Sequence, residues 1–441
     1  MSHPIRNVIY IHTHDMGRYI SPYGHQVSTP NLQAFARHGT LFRQAHCCGP
    51  TCSPSRAGLL TGVTPHESGM LGLAHRGFKF THPEHHLAAY LRGQGFLTAL
   101  CGIQHEFHSA PEQMPYEIVH EENLDTLAAT DRGWTQHALD FLNQQHERPF
   151  FLSFGLFFPH RPFDPVDPEL EPEAYVKPPD PLPDTPEIRK DMAEYRHAVA
   201  HSDTCIGRVL DAIRQHGLDK NSLVIITTDH GIAFPRMKCN LTAHGTGVTL
   251  MMDYPGNPAS GQAVDALVSH LDVYPTVCDL LGLPAPEHLE GFSMRPLFEG
   301  SAPEIREDLF SEVSFHAASE PMRSVRTQRY NLIRLFDQDL RRPLSNIDQS
   351  PSKALLLKTG WGETPREEIQ LYDLLLDPNE SRNLAHDPAC ADILTEMNQR
   401  LENWMHDTDD PLLNGPLAQP TGAVINTRES VDPAAGPFIR T

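Results

Sequence analysis

A chain of 441 residues with 39% hydrophobic and 21% charged residues has the balance of a globular protein of two or three domains and excludes a disordered or fibrous one. Its 35 basic and 56 acidic residues leave a formal net charge of −21, so neither nucleic acid nor an anionic membrane is an expected partner, since both need a basic surface. No apolar run reaches the ~18 residues of a membrane span.

The opening "MSHPIRNVIYIHTHD" is too weakly apolar for a secretory leader and runs straight into a strand, which predicts a cytoplasmic protein. Asn7 to Ile11 is that strand, by its branched apolar run. A helix is expected over Pro30 to His38, and another near Pro54 carrying Arg56 to Leu60. Strands follow at Leu97 to Ile103 and Phe150 to Leu156, with a helix between them at Trp134 to Gln145. Arg161 to Pro186 is proline-rich and irregular, long enough to be a lid or binding loop. A long helix over Glu187 to His216 precedes strands at Leu223 to Thr228 and Gly247 to Met252, then a helix at Leu271 to Leu281.

Strands alternating with helices imply a large, mostly parallel sheet sandwiched by helices, an α/β fold, over residues 1–305. Beyond about Gly300 the strand-like runs "LFSEV", "RSVRT", "YNLIRLF" and "LYDLL" crowd together before a helix at Ala389 to Met405. They predict a smaller C-terminal subdomain over 306–441, an antiparallel sheet with a terminal helix and an irregular tail after Pro411. The cysteines at 47, 48, 52, 101, 205, 239, 278 and 390 are mostly isolated, as expected of reduced, buried thiols.

In a parallel sheet, ligands bind beyond the carboxyl ends of the strands. His14-Asp15, His105, His160 and Asp229-His230 all follow such ends. Asp and His also cap helices and open turns, but two carboxylates brought together repel unless a cation sits between them.

"CCGPTCSPSRAGLLTG", Cys47 to Gly62, admits several readings. Its thiols could be buried beside a helix start. A zinc site from His46, Cys47, Cys48 and Cys52 is awkward, because adjacent cysteines fit a tetrahedral site badly. A Cys-x5-Arg phosphatase loop fails, since the sixth residue after Cys52 is Gly58. Cys52 could also be the precursor of a nucleophile, with Arg56 one turn on to hold it or the substrate.

"CSPSRAGLLTG" resembles the sulfatase signature, C-x-P-S-R followed by L-T-G. "NVIYIHTHDMGRY", "VIITTDHG", "LDVYPTVCDLLGL", "MRSVRTQRYNLIRLF" and "LYDLLLDPNESRNLA" resemble further family segments in order, so the likeness spans about residues 5 to 410 and looks closest to the sulfamidase-like bacterial branch. The resemblance implies an alkaline phosphatase-like fold and oxidation of Cys52 to formylglycine by a separate formylglycine-generating enzyme. It also implies a divalent metal held by His14, Asp15, Cys52, Asp229 and His230, with Arg56, His105, His160 and Lys238 as catalytic residues. Calcium is the family's expected ion; imidazole at His14 and His230, where the family carries oxygen ligands, brings in manganese or zinc. A second departure is Ile103, where the family has a lysine two residues before the histidine; His12 or His14 could fill part of that gap.

The implied activity is hydrolysis of sulfate esters or sulfamates on a small sulfated sugar or amino sugar. The Asp229-His230 pair keeps a phosphonate monoester or phosphodiester hydrolase as an alternative, and the missing lysine keeps a non-catalytic anion-binding homologue as another. Arg76, Arg161 and Arg323 are candidates to meet a sugar carboxylate or second sulfate. The oligomeric state is open, a homodimer among the options.

Overall fold

Eight segments form one sheet: β1 (Asn7–Thr13), β2 (Thr40–His46), β3 (Leu97–Gly102), β4 (Ile118–His120), β5 (Phe150–Gly155), β6 (Ser222–Thr228), β7 (Leu250–Asp253) and β8 (Ala263–Ser269). Their spatial order is β4-β3-β5-β1-β6-β7-β2-β8. The computed structural model describes residues 5–167, 169 and 172–440. β1, β5 and β6 are buried along their whole length, because both faces of the sheet are covered. All neighbours run parallel except β7, which is antiparallel to β6 and β2.

Alternate residues of β1 enter opposite cores, as a period of two requires. Ile9 and Ile11 pack with Trp134, Val199 and Ile206 from the helices Leu127–Leu142 and Pro186–Gln215. Val8 and Tyr10 belong with Leu59, Leu91 and Val277 from Cys52–Thr61, Leu87–Gly93 and Val273–Leu281. The long helix starts where Thr185 accepts from the Ile188 amide (3.4 Å) and Pro186 takes the first turn.

A second, wholly antiparallel sheet has the order β12-β11-β10-β9, from β9 (Leu309–Phe315), β10 (Ser319–Arg326), β11 (Tyr330–Leu335) and β12 (Ile369–Asp373). Helix Ala391–Asp407 lays Met397, Leu401 and Met405 on Val325, Leu332 and Leu371. The expected fold class is therefore the observed one.

Several elements differ from expectation. β2, β4, β8 and helix Leu87–Gly93 carry no strong periodic signal; in β2, Arg43 is exposed and Gln44 half-buried between buried residues. The helix expected at Trp134 begins seven residues earlier, where Thr126 caps the Ala129 amide (3.1 Å). The tail is not irregular throughout: Val424–Asn426 pairs antiparallel with Phe438–Arg440. Across Arg161 to Pro186 the described residues hold one short 3-10 turn, Glu173–Tyr175, before the long helix; residues 168, 170 and 171 lie outside the described residues. No helix among the described residues is long and apolar enough to cross a membrane.

Candidate active site

β3, β5, β1 and β6 are consecutive in the sheet, with Gly102 and His12 each opposite Gly155, and Thr13 opposite Thr228. The chain segments leaving their carboxyl ends must therefore meet. His14 and Asp15 follow β1, Asp229 and His230 follow β6, His105 follows β3 and His160 follows β5. Asp15 and His105 sit in the left-handed backbone region, at φ 51° and 66°, a conformation that non-glycine residues hold only where the surroundings enforce it. Gly231 shows why "DHG" ends in glycine: a Cβ there would lie 1.9 Å from the His244 carbonyl oxygen.

The fifth contribution comes from Cys52–Thr61. Cys52 opens this helix and Arg56 lies one turn on, so both point to the same side. Ser55 in the same turn donates to the Asp229 carbonyl, and the Ser53 hydroxyl donates to the His105 carbonyl (2.6 Å), tying the helix to two of the strand ends.

The polar groups converge. Donor atoms of His14, Asp15, Cys52, Asp229 and His230 all lie within 4.8 Å of one another, and all five residues are buried. His14 Nδ1 is 3.0 Å from Asp15 Oδ1 and 3.0 Å from Asp229 Oδ2. His230 Nε2 is 3.2 Å from Asp15 Oδ1 and 3.5 Å from Cys52 Sγ. Arg56 donates to Asp229 Oδ2 (3.0 Å) and meets His12 Nδ1 at 2.6 Å. Lys238 Nζ bridges Asp15 Oδ2 (3.1 Å) and Asp348 Oδ2 (3.2 Å). His105 Nδ1 is 3.0 Å from His14 Nε2, and His160 Nε2 is 3.8 Å from Asp15 Oδ2.

Protonation follows from this geometry. Burial opposes charge at Lys238, but Asp15 and Asp348 outweigh it and hold the ammonium well above its usual value. Burial also opposes His14, and Asp229, Cys52 and Asp15 outweigh it, so this imidazole is held charged. Burial opposes ionisation of Cys52, yet Lys238 and His14 bring the thiol well below its usual value. By contrast burial pushes His105 down to about 3 and lowers His160, leaving both neutral near pH 7. Glu106, beside His105, is pushed up to about 8 by burial, and its Oε2 has no hydrogen-bond partner.

The nine residues expected as metal ligands or catalytic groups thus converge in one cluster. Asp348 was missed; it lies in "NIDQS", a loop of the C-terminal region with no motif around it. His12 does not replace the lysine charge lost at Ile103, because burial and Arg56 lower its pKa well below the usual value; the imidazoles whose pKa the neighbouring carboxylates raise are His14 and His230. The zinc reading fails: His46 Nδ1 is 2.9 Å from Thr246 Oγ1, and of its four candidates only Cys52 joins a metal-competent cluster among the described residues.

The three arginines suggested for a sugar carboxylate or second sulfate are engaged elsewhere. Arg76 holds the tail through Asn426 Oδ1 (2.9 Å) and the Pro433 carbonyl (2.7 Å). Arg161 grips Asp191 with both terminal nitrogens (2.7 and 2.9 Å). Arg323 is buried between Glu312 and Asp410. His86, which follows Glu84 and His85 in the chain, is a buried helix cap that accepts from the Ala88 amide (3.1 Å).

Known proteins resemble the chain over most of its length. Residues 6–283 match the sulfatase family, and residues 238–355 match the family described as N-sulphoglucosamine sulphohydrolase, C-terminal. Human N-sulphoglucosamine sulphohydrolase is 32% identical over 93% of this chain and 92% of its own length. A solved structure described as in complex with its substrate D-glucosamine-2-N,6-O-disulfate superposes with a TM-score of 0.72 at 19% identity, over 93% of this chain and 99% of the other. The phosphonate monoester hydrolase of Silicibacter pomeroyi has the same fold, with a TM-score of 0.73 at 18% identity over 92% and 96% of the two chains. The chain belongs to the sulfatase family and is an enzyme of that class.

Proposed function

We propose that the protein hydrolyses the sulfate ester or sulfamate of a small sulfated amino sugar, with Cys52 converted to formylglycine and a divalent cation in the cluster around it. The observation that carries this reading is the convergence of Cys52 Sγ with Asp15, Asp229 and His230 beneath Lys238 and Arg56. The donor set fits a divalent cation: two carboxylates, two imidazoles and a thiol, all buried, bring their donor atoms within 4.8 Å of one another. Asp15, Asp229, His230 and His14 would hold it with the side chain at position 52, His14 giving up its proton as the ion binds; calcium is the expected ion, and the imidazole nitrogens bring in manganese or zinc as alternatives. When bound, the cation would acidify a coordinated hydroxyl and neutralise sulfate oxygens. Formylglycine would supply, as its hydrate, one hydroxyl to attack sulfur while the S–O or S–N bond breaks and the sugar's oxygen or nitrogen leaves with a proton, and a second hydroxyl whose deprotonation would expel sulfate and restore the aldehyde.

The chain's own residues divide the remaining work. Arg56, fixed by Asp229 and His12, keeps its guanidinium fork against the nucleophile's side of the cluster. Lys238 stays protonated and offers its ammonium to a sulfate oxygen or to the leaving group, and Asp348 holds it in place. His105, neutral and 3.0 Å from His14, can take the proton from the second hydroxyl. His160, neutral beside Asp15, can donate a hydrogen bond to the substrate anion.

Parallel kinetics on an N-sulfated glucosamine, an aryl sulfate and an aryl phosphonate test the reading. A kcat/KM highest for the N-sulfated sugar supports it; one highest for the phosphonate favours the second reading, for which the imidazole of His230 beside Asp229 is the supporting feature. Binding of sulfated sugar without turnover, by protein carrying formylglycine and metal, would revive the non-catalytic reading.

A further inference from the structure

The segment after β6 serves two places. Lys238 turns into the catalytic cluster, while Arg236 and Asn240, two residues to either side, line a different cavity of about 340 Å³ against the antiparallel sheet. Arg236 and Cys239 both have left-handed backbone, φ 69° and 64°, a strained pair bracketing Lys238. Arg342 and Arg366 enter the same cavity from the stretch joining β11 to β12.

These arginines are under-satisfied. Arg366 is 8% exposed; Glu320 takes its Nη1, but Nε and Nη2 are buried with no hydrogen-bond partner. Arg342 Nε is also buried and unpartnered, and its guanidinium lies 4.6 Å over the Trp361 ring. Arg236 donates to the Pro181 carbonyl (3.4 Å), and among the described residues neither it nor Arg342 has a carboxylate within ion-pair reach. Carboxylates on the wall are engaged elsewhere: Glu380 by Arg326 (2.8 Å) and Asn331 (2.6 Å), Glu367 by Asn383 (2.5 Å). Buried donors without partners are costly, and three guanidinium groups crowded together repel one another, so an arrangement of this kind in a chain of net charge −21 calls for an anion. Guanidinium forks match the paired oxygens of sulfate and carboxylate.

We propose that this cavity is an oxyanion-binding site, distinct from the catalytic cluster, that takes a second sulfate or carboxylate, carried by an extended sulfated saccharide or present as free sulfate. The saccharide source rests on the hydrolase reading above; the free-anion source does not.

Full-length enzyme is titrated with sodium sulfate against sodium chloride at equal ionic strength, followed by calorimetry and by tryptophan fluorescence. Saturable sulfate binding is expected, with an emission change that disappears in Trp361→Phe and a Kd raised about tenfold or more in both Arg342→Gln and Arg236→Gln. No saturable binding, or binding that both substitutions leave intact, overturns the site. KM is then compared for a monosulfated monosaccharide and for an oligosaccharide bearing an additional anionic group. A roughly tenfold rise in Arg342→Gln for the longer substrate alone, at unchanged kcat, assigns the site to the saccharide. If neither KM moves while sulfate binding is weakened, free sulfate is the occupant. Should no sulfated sugar be turned over at all, the hydrolase reading falls, and the sulfate titration still decides the site.

Discussion

Two buried charge clusters have nearly the same ingredients and opposite designs. At the join between the signature helix and the antiparallel sheet, His66, Glu312 and Asp410 also meet the spacing of metal ligands, but Arg323 fills the space between the carboxylates. Arg323 is paired with both and donates to the Val313 and Met322 carbonyls as well (3.0 and 2.9 Å), and His66 Nδ1 is 3.0 Å from Glu312. In the catalytic cluster the carboxylates face two imidazoles and a thiol besides Arg56 and Lys238, Arg56 Nε and Glu106 Oε2 have no partner, and Asp15 and His105 carry left-handed backbone. A resident guanidinium satisfied on every side makes a clasp; a set of donors left partly unmet around a nucleophile makes a site that can receive charge.

Substitutions separate the two. The largest effect is expected from Cys52→Ala, a loss of kcat/KM of at least about 10⁴ with the melting temperature nearly unchanged, read by steady-state kinetics and calorimetry. Lys238→Ala should cost about 10²–10³ in kcat/KM, and Asp348→Asn, which only loosens the ammonium, about tenfold. Arg323→Leu should do the reverse, leaving the kcat of folded protein within about twofold while strands two carboxylates, with a stability loss of about 3–5 kcal/mol in urea titration. Gly231→Ala should affect both, because the new Cβ meets the His244 carbonyl; about 1–3 kcal/mol of stability and a smaller kcat are expected.

The smallest effect is a pH dependence of the clasp. Burial opposes ionisation of Glu312, but Arg323 and His66 lower its pKa from 4.5 to about 2, so its stabilisation is complete above 4.5 and is lost as pH falls toward 2. Burial opposes charge at His66, but Glu312 raises its pKa above 6.5, so that stabilisation is complete below 6.5 and is lost as pH rises through the raised value. Stability measured from pH 4.5 to 9 should therefore decline on the alkaline side, and His66→Asn should flatten that decline. An unchanged alkaline slope in the variant would remove His66 from the clasp.

What the sequence made legible follows from how local each signal is. β1, β3, β5 and β6 announce themselves by apolar runs, and the polar residues after them fall at the site because parallel neighbours share one end of the sheet. Cys52 and Arg56 share a side because four residues make one helical turn. Asp348 was hidden, since it comes from a loop far along the chain that only tertiary packing brings to Lys238. Arg76, Arg161 and Arg323 were misread for the same reason: their partners near Pro433, at Asp191 and at Asp410 are 30 to about 360 residues away. Strands β2 and β8 escaped notice because exposed polar positions interrupt their apolar pattern.

The most direct test measures the mass of the Cys52 peptide across preparations that differ in specific activity, made with and without a formylglycine-generating enzyme. The expected result is activity proportional to the fraction of peptide lighter by about 18 Da, the change from thiol to aldehyde. Full activity in protein whose Cys52 peptide keeps the mass of cysteine would contradict it.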